Sequence, residues 1–186
     1  CIPLTDRLDY VAGMSNNLAY VLAVEKLLGL EAPPRAQAIR VLLSELQRIA
    51  SHLLWLGPHA HHIGAMTPFF YTFRDRDEIL FMFEMVCGSR LTPSFFRVGG
   101  LAQDLPDGFE AKCREFTRTF SARVDEYETL LTQNKIWMRR TQGVGAISAE
   151  EAINWGLSGP ILRASNVYWD LRKVMPYCGY DSYEFI

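Results

Sequence analysis

Residues 35–56 read R-A-Q-A-I-R-V-L-L-S-E-L-Q-R-I-A-S-H-L-L-W-L, and this stretch decides the fold class. Ile39, Leu42, Leu43, Leu46, Ile49, Leu53 and Leu56 recur at three- and four-residue spacing, the mark of a helix with one apolar face. The strict alternation of a half-buried strand is missing. Pro33-Pro34 precede the stretch, and Gly57-Pro58 are expected to end or kink it.

The same reading extends in both directions. Leu18, Val21, Leu22, Leu27 and Leu28 predict a helix over 11–28, with Gly29 as its stop. Residues 59–66 suggest a short further helix. Another is expected from Pro68 to about Val86, with Gly88 past its end. Phe95–Val98, bounded by Pro93 and Gly99-Gly100, suits a short strand, and Leu105-Pro106-Asp107-Gly108 suits a turn. Phe116, Phe120, Val124, Tyr127 and Leu131 predict a long helix over 109–133. Glycines punctuate the last fifty-odd residues, where Ser148 and Glu151 form a capping-box pattern. The expected class is mainly α with short β pieces.

Composition excludes several alternatives. The chain has 186 residues, 49% hydrophobic and 12% aromatic, too apolar for a disordered or collagen-like chain. Lys and Arg number 19 against 21 Asp and Glu, so the net charge is 19 − 21 = −2. No basic block is present to neutralise nucleic-acid phosphates. Cys1, Cys87, Cys113 and Cys178 match no metal or cluster spacing and are read as reduced thiols of a cytosol-like compartment. Residues 49–73 carry no Lys, Arg, Asp or Glu, but Gly57-Pro58, Pro68 and four histidines make the stretch too polar and broken to span a membrane.

Candidate chemistry is sparse. His52, His59, His61 and His62 lie within eleven residues, and His59 and His62 share a helical face. A metal site, a polar helix edge, and a role lining a cavity or carrying protons all stay open for them. Glu45, Arg48 and His52 share another face, suited to a solvated ion pair. The run Arg74-Asp75-Arg76-Asp77-Glu78 suits a helix start or a partner contact, and Phe69, Phe70, Tyr71 and Phe73 suit a core. No nucleotide-binding glycine motif and no nucleophile triad is present.

Several blocks, taken in order, resemble one family. D-R-L-D-Y (6–10), A-V-E-K-L-L (23–28), P-P-R-A (33–36), G-A-M-T-P-F-F (64–70) and R-V-G-G-L-A-Q-D-L-P (97–106) are similar to the D-type subunit of proton-pumping NADH:quinone oxidoreductase, respiratory complex I. W-G-L-S-G-P-I-L-R-A-S (155–165) and W-D-L-R-K (169–173) continue the match. The S-H-L-L-W-L-G-P and E-E-A-I-N-W-G-L-S-G-P runs also resemble the plastoquinone-reducing relative of cyanobacteria and plastids.

The resemblance implies the helical core of a nickel–iron hydrogenase large subunit, without that enzyme's paired C-x-x-C ligands. The chain is expected to be the central part of one such domain, spanning 1–186 and incomplete at both ends. The family's quinone lies between this subunit and a small neighbour holding the terminal [4Fe-4S] cluster. The chain itself is expected to bind no metal or cofactor. Tyr10, the last residue of D-R-L-D-Y, is the implied catalytic donor to the quinone. Leu54, Pro58, His62 and Phe70 are implied as further quinone-binding residues.

Two departures stand out. His62 occupies a position where typical members carry aspartate, and Thr92 one where many carry a histidine coupled to the cluster. The implied function is electron transfer from that cluster to quinone, within the peripheral arm of a complex. That arm would sit on the cytoplasmic side of a bacterial inner membrane, or the matrix or stromal side of an organelle. The expected partners are the cluster-bearing subunit and other peripheral-arm subunits, with membrane contact only through the complex. Alternatives are a ferredoxin- or deazaflavin-dependent quinone reductase, and a non-catalytic scaffold for the cluster subunit.

Overall fold

Pro34 stands in the first turn of the longest helix, where its missing N–H has no intrahelical bond to make. In the computed structural model, which describes residues 1–184, this helix is α3 (Pro34–His62). It follows α1 (Ile2–Thr5) and α2 (Gly13–Leu28), and precedes α4 (Thr67–Cys87). A two-stranded hairpin, β1 (Phe96–Arg97) and β2 (Gly100–Leu101), leads to α5 (Phe109–Leu130). The mainly α class with short β pieces is therefore found.

The chain falls into two compact units, the first Cys1–Met138 and the second beginning at Arg139. In the first, α3 packs along α4, and α5 also packs on α4. Leu43, Leu46, Ile79, Met82, Phe83 and Phe116 are fully buried among these helices. α2 and α4 end on Gly29 and Gly88, both left-handed, as the glycine stops predict. Leu27 and Leu28, counted in the α2 stripe, instead face solvent.

Gly57-Pro58 do not end α3, which runs on through the expected second helix to His62. Close packing explains this. A Cβ at Gly57 would lie 2.5 Å from Thr72 Oγ1 and 3.4 Å from Phe69 Cα, so the bare glycine lets α3 and α4 touch. Pro58 still has its local effect, because without an N–H it leaves the Leu54 carbonyl without its helical donor.

The charge run at 74–78 is not a helix start either. α4 already begins at Thr67, with Pro68 in its first turn. Asp75 is fully buried in mid-helix. It accepts from Arg74 at 2.7 Å, from Arg123 of α5 at 2.9 Å, and from the Tyr127 hydroxyl. Burial first, then the Asp75 carboxylate, pushes the Tyr127 phenol far up. Of the expected aromatic core, Phe69 stacks on Phe73 at 4.3 Å, but Phe70 is 59% exposed.

A second group of buried charges joins α2, α3 and the hairpin. Arg40 donates to Glu25 at 3.0 and 2.6 Å, and to the carbonyls of Arg97 and Gly100 at 2.9 and 3.0 Å. Burial alone would raise the Glu25 carboxyl; Arg40 and the Gly99 amide outweigh it and hold it below its usual range. The pair thus fastens the hairpin to α2 and α3.

The second unit holds short elements. α6 (Lys135–Thr141) crosses its boundary, and α7 (Ala149–Asn154), α8 (Gly159–Ala164), α9 (Leu171–Val174) and a 3₁₀ turn at Tyr180–Ser182 follow. The Ser148 capping box is formed in both directions. Asp170 caps α9 and pairs with Arg172 at 2.7 Å, a hydrogen bond that pulls its carboxyl down to about 2.

Candidate functional site

The segment carrying Tyr10 is held to α3 by its next residue. The Val11 carbonyl accepts from Gln47 Nε2 at 2.7 Å and from the Ser51 hydroxyl. The Gln47 amide oxygen also faces the Met14 N–H at 3.4 Å, and Asp9 Oδ1 accepts from the Val11 N–H at 2.9 Å. These bonds fix the turn on which Tyr10 stands, with its ring 69% exposed.

At 3.6 residues per turn, Gln47, Ser51, Leu54, Pro58 and His62 follow one another up a single stripe of α3. Leu54 and Pro58 therefore sit one and two turns beyond the residues that grip Val11. Both are half-buried, and His62 is exposed at the helix end. Gly64, with φ of 102°, makes the turn into α4. Phe70 stands in the first turn of α4, edge-on to Phe69 at 5.8 Å. Phe69 in turn lies 6.2 Å from the His61 ring, which is 6.3 Å from His62.

The structure thus joins Tyr10, Leu54 and Pro58 through one helix stripe, and places His62 and Phe70 at the corner where that helix ends. The surface is open. Leu4, Leu8, Trp55, Met66 and Phe70 are all at least half exposed, at 69%, 75%, 56%, 57% and 59%. Exposed apolar side chains of this size suit contact with a partner or an apolar ligand. A cavity of about 410 Å³ between α3 and α5, lined by Ile39, Leu42, Leu105 and Cys113, lies away from these residues.

The loop with Thr92 also meets this segment. A Cβ at Gly13 would lie 3.2 Å from the Leu91 carbonyl, 3.5 Å from Pro93 and 3.6 Å from the Asp6 carbonyl. Asp6 is fully buried there, with neither carboxylate oxygen hydrogen-bonded and Arg7 no nearer than 4.0 Å. Burial pushes its carboxyl up, against weaker pulls from the Ser94 amide, Arg7 and Arg97. Thr92 Oγ1 lies 3.4 Å from the Ser89 hydroxyl.

Arg48 pairs with Glu45 at 3.1 Å, as their spacing predicts. His59 stacks on Trp55 at 5.3 Å and meets Trp137 edge-on at 6.0 Å. Among the described residues, no three His, Cys, Asp or Glu side chains converge as metal ligands. No helix among them is long and apolar enough to cross a membrane.

Sequence reasoning missed Gln47 and Ser51, which position Tyr10, and the buried Glu25–Arg40 and Asp75 clusters. A signal existed for Arg40 and Gln47, which are polar residues three and four positions from Leu43 on the apolar stripe.

Residues 62–186 match the family described as respiratory-chain NADH dehydrogenase, 49 Kd subunit. The chain is 61% identical over 184 residues to a D-type NADH-quinone oxidoreductase subunit of Roseiflexus sp. (strain RS-1), covering 99% of this chain and 44% of that protein. It is 60% identical to the D-type subunit of Geotalea uraniireducens (strain Rf4), covering 99% of this chain and 47% of that protein. Against a D-type subunit of Solibacter usitatus (strain Ellin6076) the identity is 58%, over 98% of this chain and 50% of the relative. The chain therefore spans about half the length of these relatives. With this match and the helical fold beneath it, the chain belongs to the respiratory-chain NADH dehydrogenase 49 Kd subunit family, the D-type subunits of NADH-quinone oxidoreductase.

Proposed function

We propose that this chain forms one wall of the quinone site of a proton-pumping NADH:quinone oxidoreductase. Tyr10 is its hydrogen-bond donor to the quinone. Leu54, Pro58 and Phe70 supply apolar surface to the ring and its tail, and His62 is the titratable group at the rim. The observation that carries this reading is the grip of Gln47 and Ser51 on the Val11 carbonyl. It ties the turn that carries the exposed Tyr10 to the helix that carries the half-buried Leu54 and Pro58.

Reduction of a quinone to a quinol adds two electrons and two protons. In this reading the electrons come from a [4Fe-4S] cluster held by a neighbouring subunit. The residues of this chain bind and orient the ring and handle protons. A phenol suits a carbonyl oxygen that gains negative charge, because its O–H strengthens its bond as charge develops and then transfers one of the two protons; the second proton, and the one that restores the phenol, would come from solvent. The open face implies a second wall from that neighbouring subunit. The complex would place this chain in its peripheral arm, on the cytoplasmic, matrix or stromal side of its membrane.

A photoreactive quinone analogue, irradiated on the intact complex, tests the placement. Labelling within residues 4–11 and 54–70 is expected, with suppression by excess quinone. Labelling confined to other subunits contradicts it.

A further inference from the structure

Among the described residues, three acidic side chains are buried: Asp6, Glu25 and Asp75. Glu25 is met by Arg40 and the Gly99 amide, and Asp75 by Arg74, Arg123 and Tyr127. Asp6 is the exception. It is 0% exposed, and neither of its carboxylate oxygens is hydrogen-bonded. The cations that reach it are Arg7 on its own segment and Arg97 on the hairpin, and both are engaged elsewhere. Arg7 stands 4.0 Å away, is 57% exposed and donates to the Pro3 carbonyl. Arg97 donates to the carbonyls of Ser94 and Phe96. Cys87, at the end of α4, is the other titratable group within range; burial raises its thiol first, and the charge of Asp6 adds to that.

A carboxylate sealed from water without hydrogen bonds is strongly disfavoured, and such a group keeps its proton instead. The place of Asp6 in the fold gives that proton a consequence. Asp6 opens the segment that leads to Tyr10, and both ends of this segment are anchored. Before it, the Thr5 hydroxyl accepts from Asn17 at 3.5 Å, and Asn17 accepts from the Phe96 N–H at 2.8 Å. After it, the Val11 carbonyl is gripped by Gln47 and Ser51. Gly13 then lies close against the Leu91 carbonyl and Pro93. At this junction the Ser94 hydroxyl is likewise sealed and unpaired. A charge on Asp6 is solvated only by admitting water, and that requires the segment and the loop 91–94 to part.

We propose that Asp6 is a positioning residue for Tyr10: its neutral form keeps residues 6–13 seated on the loop 91–94, and its ionisation loosens that seat and shifts the turn on which Tyr10 stands. The effect on quinone rests on the reading of Tyr10 as its donor, whereas the seating of the segment does not.

The test follows wild type, Asp6→Asn and Asp6→Leu, each in the intact complex, across the pH range over which the complex stays assembled. Hydrogen exchange at the amides of residues 7–13, divided by the intrinsic rate at each pH, reads the seating. NADH-driven quinone reduction, divided by NADH oxidation with an artificial acceptor that bypasses quinone, reads the site. Wild type should lose protection in the segment as pH rises, and its normalised quinone rate should fall at the same midpoint by at least about threefold. Both variants should keep their protection, with a flat profile near the rate wild type shows on its acid side, because neither carries a charge to solvate. The midpoint shared by the two wild-type readouts stands as a test even if neither variant assembles. Protection in wild type that is indifferent to pH overturns the proposal by itself. So does an Asp6→Asn profile that falls as wild type does, which assigns the titration to another group such as Cys87. Protection lost with pH while the quinone rate stays flat overturns the coupling, and faults the placement of Tyr10 at the quinone rather than the seating.

Discussion

Gln47 donates its side-chain N–H to the Val11 carbonyl at 2.7 Å, although the two residues are 36 apart in sequence. This bond ties the turn carrying Tyr10 to the helix carrying Leu54 and Pro58. Gln47→Leu keeps the side chain's bulk and removes both of its polar links. It should destabilise the chain by about 0.5–1.5 kcal/mol, the usual net worth of a hydrogen bond, because Ser51 still donates to the Val11 carbonyl. It should also lower quinone reductase activity while every residue proposed to touch quinone remains. Thermal melts and steady-state kinetics on the complex check both effects.

Gly57→Ala should destabilise, although alanine is the better helix former. The added methyl would meet Thr72 Oγ1 at 2.5 Å, and Thr72 is itself fully buried. Overpacking of this kind costs about 1–3 kcal/mol. Thr72→Ala in the same chain should recover part of the loss, because the blocking hydroxyl is gone. Denaturant unfolding of the single and double variants measures the recovery.

Glu25 and Asp6 are both buried carboxyls, and they predict opposite pH trends. The Glu25 carboxyl is held below its usual value, so its stabilisation is present above the unfolded value of 4.5 and is lost as pH falls through the folded one. Asp6 is raised from 3.8, so its contribution is present below that value and is lost as pH rises through the folded one. Glu25→Gln should cost about 3–5 kcal/mol near neutral pH, since it strands Arg40. That cost should shrink in acid. Asp6→Asn should remove a decline in stability that wild type shows as pH rises above 3.8. Stability measured across pH for the three proteins distinguishes these signs.

The helices were legible because their apolar residues repeat with the helical period. Ile39, Leu43, Leu46 and Leu53 lie where their spacing puts them. Asp75 was not legible. Its partners Arg123 and Tyr127 lie 48 and 52 residues away, and nothing local separates a buried charge cluster from a solvated run. Gly57-Pro58 misled for a related reason. Local breakers predict a helix end, but tight packing against Thr72 and Phe69 lets the helix continue. At the site, Tyr10 was visible through a motif. Its positioning by Gln47 and Ser51 depends on a long-range contact that no periodicity reports.

The central claim is that Tyr10 donates to the quinone, and Tyr10→Phe in the intact complex tests it most directly. The ring is exposed, so its hydroxyl is not needed to fill a core, and the complex should assemble normally. Removing one donor to a developing oxyanion costs roughly 10²–10³ in rate at well-studied sites. A fall in quinone reductase activity of at least about tenfold, with assembly unchanged, is the predicted result. Wild-type activity with phenylalanine at this position would contradict it.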